Sequence, residues 1–191
     1  MSAPVMLDEH GGQTMKTEVG ETLVPFNSDL YAEASAWLMI EAELLDDRRE
    51  REWLETMISR EVGYVMPIRQ TMYRDQGHGF LKEMYHLNES YGSLETKVAR
   101  NETGCAWAED PPSRFRHFVS NVRVYARTDD LIGVRSALLL YRMRGEQSVA
   151  TLMSAERRDL LRREKDGLKL FRREILLDHT VIAADNLAIF F

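Results

Sequence analysis

The stretch WAEDPPSRFRHFVSNVRVY, Trp107 to Tyr125, sets two acids, Glu109 and Asp110, beside two arginines and a histidine, His117. A histidine near carboxylates has the components of a general base. A lone histidine in a strand more often serves as a hydrogen-bonded core or surface residue. The remaining histidines are His10, His78, His86 and His179. They form no HExxH pattern and no close Cys/His cluster, and nothing nominates a pair for a two-histidine, one-carboxylate iron site. Cys105 is the single cysteine, so it makes no internal disulfide and cannot alone hold zinc or an iron–sulfur cluster. GxGxxG, GxxxxGK[ST] and GxSxG are absent. The sequence therefore leads us to expect no catalytic, cofactor-binding or metal-binding residues in this chain.

Charge narrows the partners. Lys and Arg total 25 against 31 Asp and Glu, a net charge of -6. A dedicated nucleic-acid binder carries a basic excess instead. The runs RRDLLRRE and LFRREILLDH hold Arg157, Arg158, Arg162, Arg163, Arg172 and Arg173, interleaved with Asp159, Glu164 and Glu174. We read them as a solvated or salt-bridged face, because nearby acids oppose phosphate binding. The N-terminal residues lack a basic start and an apolar core, and runs such as ALLLY are too short to span a bilayer. The expectation is a cytoplasmic protein with no membrane segment.

The elements that position these groups follow from periodicity. Residues 1–24 lack it and contain Gly11–Gly12, which suggests a flexible arm ahead of a single domain over 25–191. Leu30, Ala34, Trp37, Leu38, Leu44 and Leu45 recur as one helix face, with Asn27 or Ser28 as its cap. Asp46 or Asp47 then offers a cap for a second helix carrying Trp53, Leu54 and Met57. VGYVMPIRQT favours a strand, with Pro67 placing it at an edge or ending it. YRDQGHGF reads as a loop. NESYGSLETKVARNETG reads as a short helix capped by Asn88 or Ser90 and stopping near Gly104. RFRHFVSNVRVYAR and GVRSALLLYRMR alternate as strands. SVATLMSAERRDLLRRE would tolerate a helix, but the KDG turn after it favours a strand. LKLFRREILLDHTVI is the last long strand, and NLAIFF is an apolar tail. Helices first and antiparallel strands after give an α+β fold. One helical layer covers one sheet face and leaves the other to a partner or water.

Within the opening stretch, Arg114, Arg116, Phe118, Ser120, Val122 and Val124 would point one way. Phe115, His117, Val119, Asn121, Arg123 and Tyr125 would point the other. Neither face is clean, which fits a strand met by protein on both sides or one with a solvated arginine end. Pro111–Pro112 forces an extended lead into the strand and gives Trp107 a fixed place to rest. Trp107, Asp110, Pro111, Pro112, Arg114 and Arg116 are the candidate subunit interface.

Several segments together resemble one family. EAELLDDRREREWLETM, VGYVMPIRQT, GCAWAEDPPSRFRHFVSNVRV and NLAIFF are similar to the small, or β, subunit of bacterial aromatic-ring-hydroxylating dioxygenases, which are Rieske non-haem iron oxygenases. The likeness runs from about Leu30 onward. It implies a cone-shaped α+β fold of N-terminal helices on a strongly curved antiparallel sheet, shared with ketosteroid isomerase and scytalone dehydratase. It also implies a large α subunit carrying a Rieske 2Fe–2S cluster, mononuclear Fe(II) and the substrate pocket, in an α3β3 hexamer with other β subunits. Such an enzyme uses O2 and NAD(P)H-derived electrons to convert an arene to a cis-dihydrodiol. One cysteine agrees, because a Rieske centre needs two. Two other readings stay open: a stand-alone isomerase or dehydratase of the same fold, with His117 and a carboxylate in its cavity, and a dimeric ligand-binding module.

Overall fold

The computed structural model describes residues 22–73, 79–103, 113–128, 130–146, 148–182 and 189–191. The first helix, α1, spans Asp29–Asp46, and Ser28 is its cap. The Ser28 hydroxyl accepts the Tyr31 N–H at 3.2 Å, satisfying one of the unpaired donors of the first turn. Its inward face is Ala34, Trp37, Leu38, Glu41, Leu44 and Leu45. The expected apolar stripe is present, with a carboxylate in its middle. Arg48 turns the chain at φ 59, and α2 follows over Glu50–Met57. Neither Asp46 nor Asp47 caps α2: Arg49 occupies that position and makes no side-chain cap bond. Asp46 is used elsewhere, as described below.

The sheet begins with β1, Thr22–Leu23, at the end of the expected arm. It continues with β2 (Ile58–Arg69), β3 (Phe80–Glu89), β4 (Arg114–Thr128), β5 (Leu131–Met143), β6 (Thr151–Glu164) and β7 (Gly167–Leu177). Helix α3, Tyr91–Glu102, lies between β3 and β4 and opens with a Ser90/Ser93 capping box. The strand order is β1-β4-β5-β6-β7-β2-β3. Neighbours are antiparallel except β2 and β7, which run parallel. The segment with the KDG turn is a strand, β6, joined to β7 as a hairpin.

Two expectations about strands are corrected. Pro67 does not mark an edge, because β2 lies between β7 and β3, and the strand ends two residues beyond it, at Arg69. The register shifts on both sides of Pro67, so an irregularity absorbs the missing N–H. The sequence carries no clear signal for β3. Its Phe80–Glu89 sequence lacks clean alternation, and Glu83 sits at φ 59.

The mixed faces of β4 have a geometric cause. The ladder passes from Ser120↔Ala137 to Arg123↔Arg135, leaving one extra residue on β4. Asn121 sits there at φ 52. An extra residue reverses which residues point inward. Phe115 and Val119 meet the core before the bulge, and Val122, Val124 and Ala126 meet it after. Arg114, Arg116, Phe118 and Ser120 are exposed on the outer face. The strand therefore has one inward face throughout, with a phase change at Asn121. Further register shifts, on β2 and on β7 at Phe171, accompany the curvature of the sheet.

Asparagine tolerates the left-handed region better than a β-branched residue does. Asn121→Val is expected to lower unfolding free energy by about 1–2 kcal/mol, with Asn121→Gly within about 0.5 kcal/mol of wild type. Urea unfolding of the two variants checks this. Equal losses would show that the bulge does not depend on the left-handed residue.

Candidate functional site

The interior of the cone holds ions where its neighbours are apolar. On β6, Arg157 and Asp159 alternate inward in phase with Ala155 and Met153. On β7, Arg173 is the direct cross-strand partner of Asp159. From above, α1 lowers Glu41 onto them. All four are at most 3% exposed. The Arg173 guanidinium donates Nη1 to Glu41 Oε1 and Nη2 to Oε2, each at 2.8 Å. It also donates Nε and Nη2 to the two Asp159 oxygens, each at 2.7 Å. Arg157 donates Nη1 to Glu41 Oε2 at 3.1 Å and Nε to Ser136 Oγ at 3.3 Å. Trp53 of α2 donates its indole N–H to Glu41 Oε1 at 3.1 Å.

Two carboxylates thus face two guanidiniums, and paired geometry offsets a large desolvation penalty. Burial alone would push Glu41 up, but Arg173 and Arg157 outweigh it and hold the carboxyl below its ordinary value. Burial likewise opposes the charge on Arg173, yet Asp159 and Glu41 raise it well above the ordinary range. Arg157 is lowered, first by burial and then by the like charge of Arg173.

The segment Ile189–Phe191 closes the same interior. Its three carbonyl oxygens are taken one by one. Lys97 Nζ of α3 donates to Ile189 O at 3.0 Å. His117 of β4 reaches Phe190 O with Nε2 at 3.1 Å. Phe191 O accepts from Arg173 Nη1 at 2.6 Å and from the Tyr64 hydroxyl of β2 at 2.9 Å. The Phe191 N–H donates back to the Tyr64 oxygen at 2.7 Å. The Phe190 ring rests on Trp53 with centroids 4.8 Å apart.

His117 is therefore a structural link. Its Nδ1 lies 2.6 Å from Asp46 Oδ1, and its backbone N–H donates to the same oxygen at 3.0 Å. Both ring nitrogens lie at hydrogen-bonding distance from protein oxygens. The side chain is 4% exposed, and neither nitrogen is left for a ligand.

Of the candidate interface residues, Trp107, Asp110, Pro111 and Pro112 lie outside the described residues, as do Cys105, Glu109, His10 and His78. Arg114 and Arg116 are exposed on β4. Arg114 Nη2 donates to Gly145 O at 3.2 Å, and Arg116 Nη1 lies 3.4 Å from Asp46 Oδ2. With Arg48 they surround an open pocket of about 450 Å³ floored by Phe115, Tyr141 and Met143. Along the same face, Phe118 pairs across strands with Leu139, and Leu152 pairs with Tyr141; Phe118, Leu139 and Leu152 are all exposed.

Part of the arginine runs is the salt-bridged face the sequence suggests. Arg158 meets Glu156, Arg162 meets Glu61 and Glu164, and Arg163 meets Glu33. Arg157 and Arg173 are corrections, being wholly interior. Among the described residues no group of three or more His, Cys, Asp or Glu side chains is placed to hold a metal ion. No helix among them is long and apolar enough to cross a membrane.

A model of the family described as ring hydroxylating beta subunit matches residues 40–184. The chain belongs to the ring-hydroxylating β-subunit family. A chain of a naphthalene 1,2-dioxygenase solved with indole in its active site is 28% identical, with a TM-score of 0.76, covering 87% of this β subunit and 89% of that chain. The benzoate 1,2-dioxygenase β subunit of Burkholderia mallei is 22% identical, with a TM-score of 0.62, covering 83% and 96%. A scytalone dehydratase candidate from Novosphingobium aromaticivorans is 12% identical, with a TM-score of 0.56, covering 84% and 94%. The last two likenesses carry the cone-shaped α+β fold alone.

In this β subunit the interior network predicts a large response to losing one partner. Glu41→Leu leaves two buried guanidiniums short of a counter-charge and should destabilise by about 3–5 kcal/mol. Chemical denaturation measures it, and a loss below about 1 kcal/mol would show that water compensates Arg173.

Lys97 gives a pH signature. Burial pushes its ammonium down from 10.5 to about 8, with Glu89 opposing. Between those values the unfolded chain binds more protons than the folded one, so stability rises with pH. The thermal midpoint of wild type, relative to Lys97→Met, should climb from pH 8 to 10. That window lies below the Tyr64 phenol, which burial pushes up to about 12. Parallel pH profiles for the two proteins would contradict this assignment.

Proposed function

We infer that this β subunit is the structural small subunit of a multicomponent aromatic-ring-hydroxylating dioxygenase of the EC 1.14.12 type. The arene, O2 and NAD(P)H-derived electrons meet in a partner α subunit, which releases a cis-dihydrodiol. That partner holds the Rieske cluster and the mononuclear iron, and the assembly is an α3β3 hexamer in the bacterial cytoplasm. The residues of this chain do not fit a Rieske centre of their own, because it requires two cysteines and the sequence has one. No step of the oxidation is routed through this chain.

The observation that carries the reading is the filled cone. Glu41, Asp159, Arg157 and Arg173 satisfy one another, and Ile189–Phe191 lies against them. In the stand-alone isomerase or dehydratase alternative, His117 would need a free nitrogen facing a cavity. Both of its nitrogens are engaged by protein acceptors, so no observation favours that alternative.

The partner-facing surface in this reading includes the outer face of β4 and β5 around Arg114 and Arg116, led by Trp107, Asp110, Pro111 and Pro112. Arginine beside exposed aromatic and aliphatic groups is the composition of interface hot spots. With Arg114 and Arg116 desolvated against partner acids, Arg114→Ala/Arg116→Ala should weaken assembly by about 2–5 kcal/mol. Sedimentation of the variant with its co-expressed large subunit tests this, and unchanged assembly would remove these arginines from the interface. Iron analysis of the separated subunits tests the wider reading, which stoichiometric iron in this chain would contradict.

A further inference from the structure

Four buried donors inside the cone reach an acceptor segment outside its strands and helices. Lys97, His117, Arg173 and Tyr64 come from α3, β4, β7 and β2, and all four are nine-tenths or more buried as side chains or residues. Each sends a hydrogen bond to Ile189–Phe191, a segment that belongs to no helix and no strand. Arg157 Nη2, also buried, has no hydrogen-bond partner among the described residues. Among the described residues, Lys97 Nζ and the Tyr64 hydroxyl have no other hydrogen-bond acceptor than this segment, and Arg173 and His117 extend their helix and strand bonds to it. Buried donors spent outside helix and strand are the lining of a ligand pocket rather than of an apolar core.

The way the segment sits repeats how a ligand is held. Its aromatic ring lies against Trp53 at 4.8 Å and near Lys97 Nζ at 5.1 Å. Its carbonyl oxygens meet the cationic and phenolic donors, and the Phe191 N–H donates to the Tyr64 oxygen. Ring on one side and acceptor on the other is a bipolar arrangement that a small molecule reproduces.

We propose that the interior of the cone is a ligand pocket occupied by the chain's own Ile189–Phe191. Weakening that internal occupant opens the pocket to a small molecule bearing an aryl ring on a short chain that ends in a carbonyl or carboxylate acceptor. The ring replaces Phe190 against Trp53, and the acceptor takes the donors of His117, Lys97 or Arg173 as the weakened segment and its backbone carbonyls are displaced. Apolar cavities made by truncation bind aromatic guests, and the added acceptor makes this pocket selective.

The test uses the full chain carrying Phe190→Ala/Phe191→Ala, with wild type beside it. The probe is 3-phenylpropanamide, which reproduces a phenylalanine ring and its carbonyl. Toluene supplies the ring alone and propanamide the acceptor alone. At probe concentrations well above Kd, the thermal midpoint of the variant should rise by about 2–4 °C with 3-phenylpropanamide. Wild type should not respond, and neither half-probe should match the whole. A variant that is unfolded by itself is read by recovery of its circular dichroism on adding the probe. No rise and no recovery would overturn the proposal. So would an equal rise in wild type, which places binding on the surface, or an equal rise with toluene, which leaves only an apolar hole. The readout needs no partner subunit, so it stands or falls apart from the dioxygenase reading.

Discussion

Glu41 sits fully buried in the middle of the inward face of α1, and that placement governs the rest. A carboxylate there is costly to desolvate and stays charged only with strong donors around it. Those donors come from Arg157 on β6, Arg173 on β7 and Trp53 on α2. Arg173 in turn requires Asp159, its cross-strand neighbour, and spends a remaining N–H on Phe191. One buried charge thus ties helix, sheet and the Ile189–Phe191 segment into a single geometry. Oily contacts are non-directional, whereas this set of bonds admits little sliding of α1 along the sheet.

The same constraint determines what the interior of the fold contains. A fold hosts several functions, and the difference lies in what the interior contains. Here the ions compensate one another, and His117 is clamped between Asp46 and Phe190. A rigid, filled cone is suited to presenting its outer sheet face to another protein. On that face Phe118 and Leu139 pair beside Arg116 and Tyr141, a composition that a partner would desolvate.

Much of the fold was legible because local chemistry and tertiary context agree. Ser28 caps the first helix, the face from Ala34 to Leu45 is buried, and the KDG turn identifies β6 as a strand. Legibility failed where tertiary structure overrides local pattern. Pro67 lies inside the sheet because the ladder shifts around it, and sequence alone assigns proline to an edge. Asn121 reverses the facing of β4, and a strict period of two then smears both faces into mixtures. The ionic interior left a trace that charge counting hides. Glu41 is in phase with Trp37, Leu38 and Leu45, while Arg157 and Asp159 are in phase with the buried side of β6. Asp46 reads as a cap because an aspartate at a helix–helix junction ordinarily is one, but its partner, His117, is distant in sequence.

The central claim is that Glu41 and Arg173 act as one unit. A double-mutant cycle with Glu41→Leu, Arg173→Leu and the double variant measures it by chemical denaturation. The account predicts a coupling of about 2–3 kcal/mol, because the second substitution removes the charge that the first left stranded. Additivity within about 0.5 kcal/mol would contradict it, since each group would then be stabilised independently of the other.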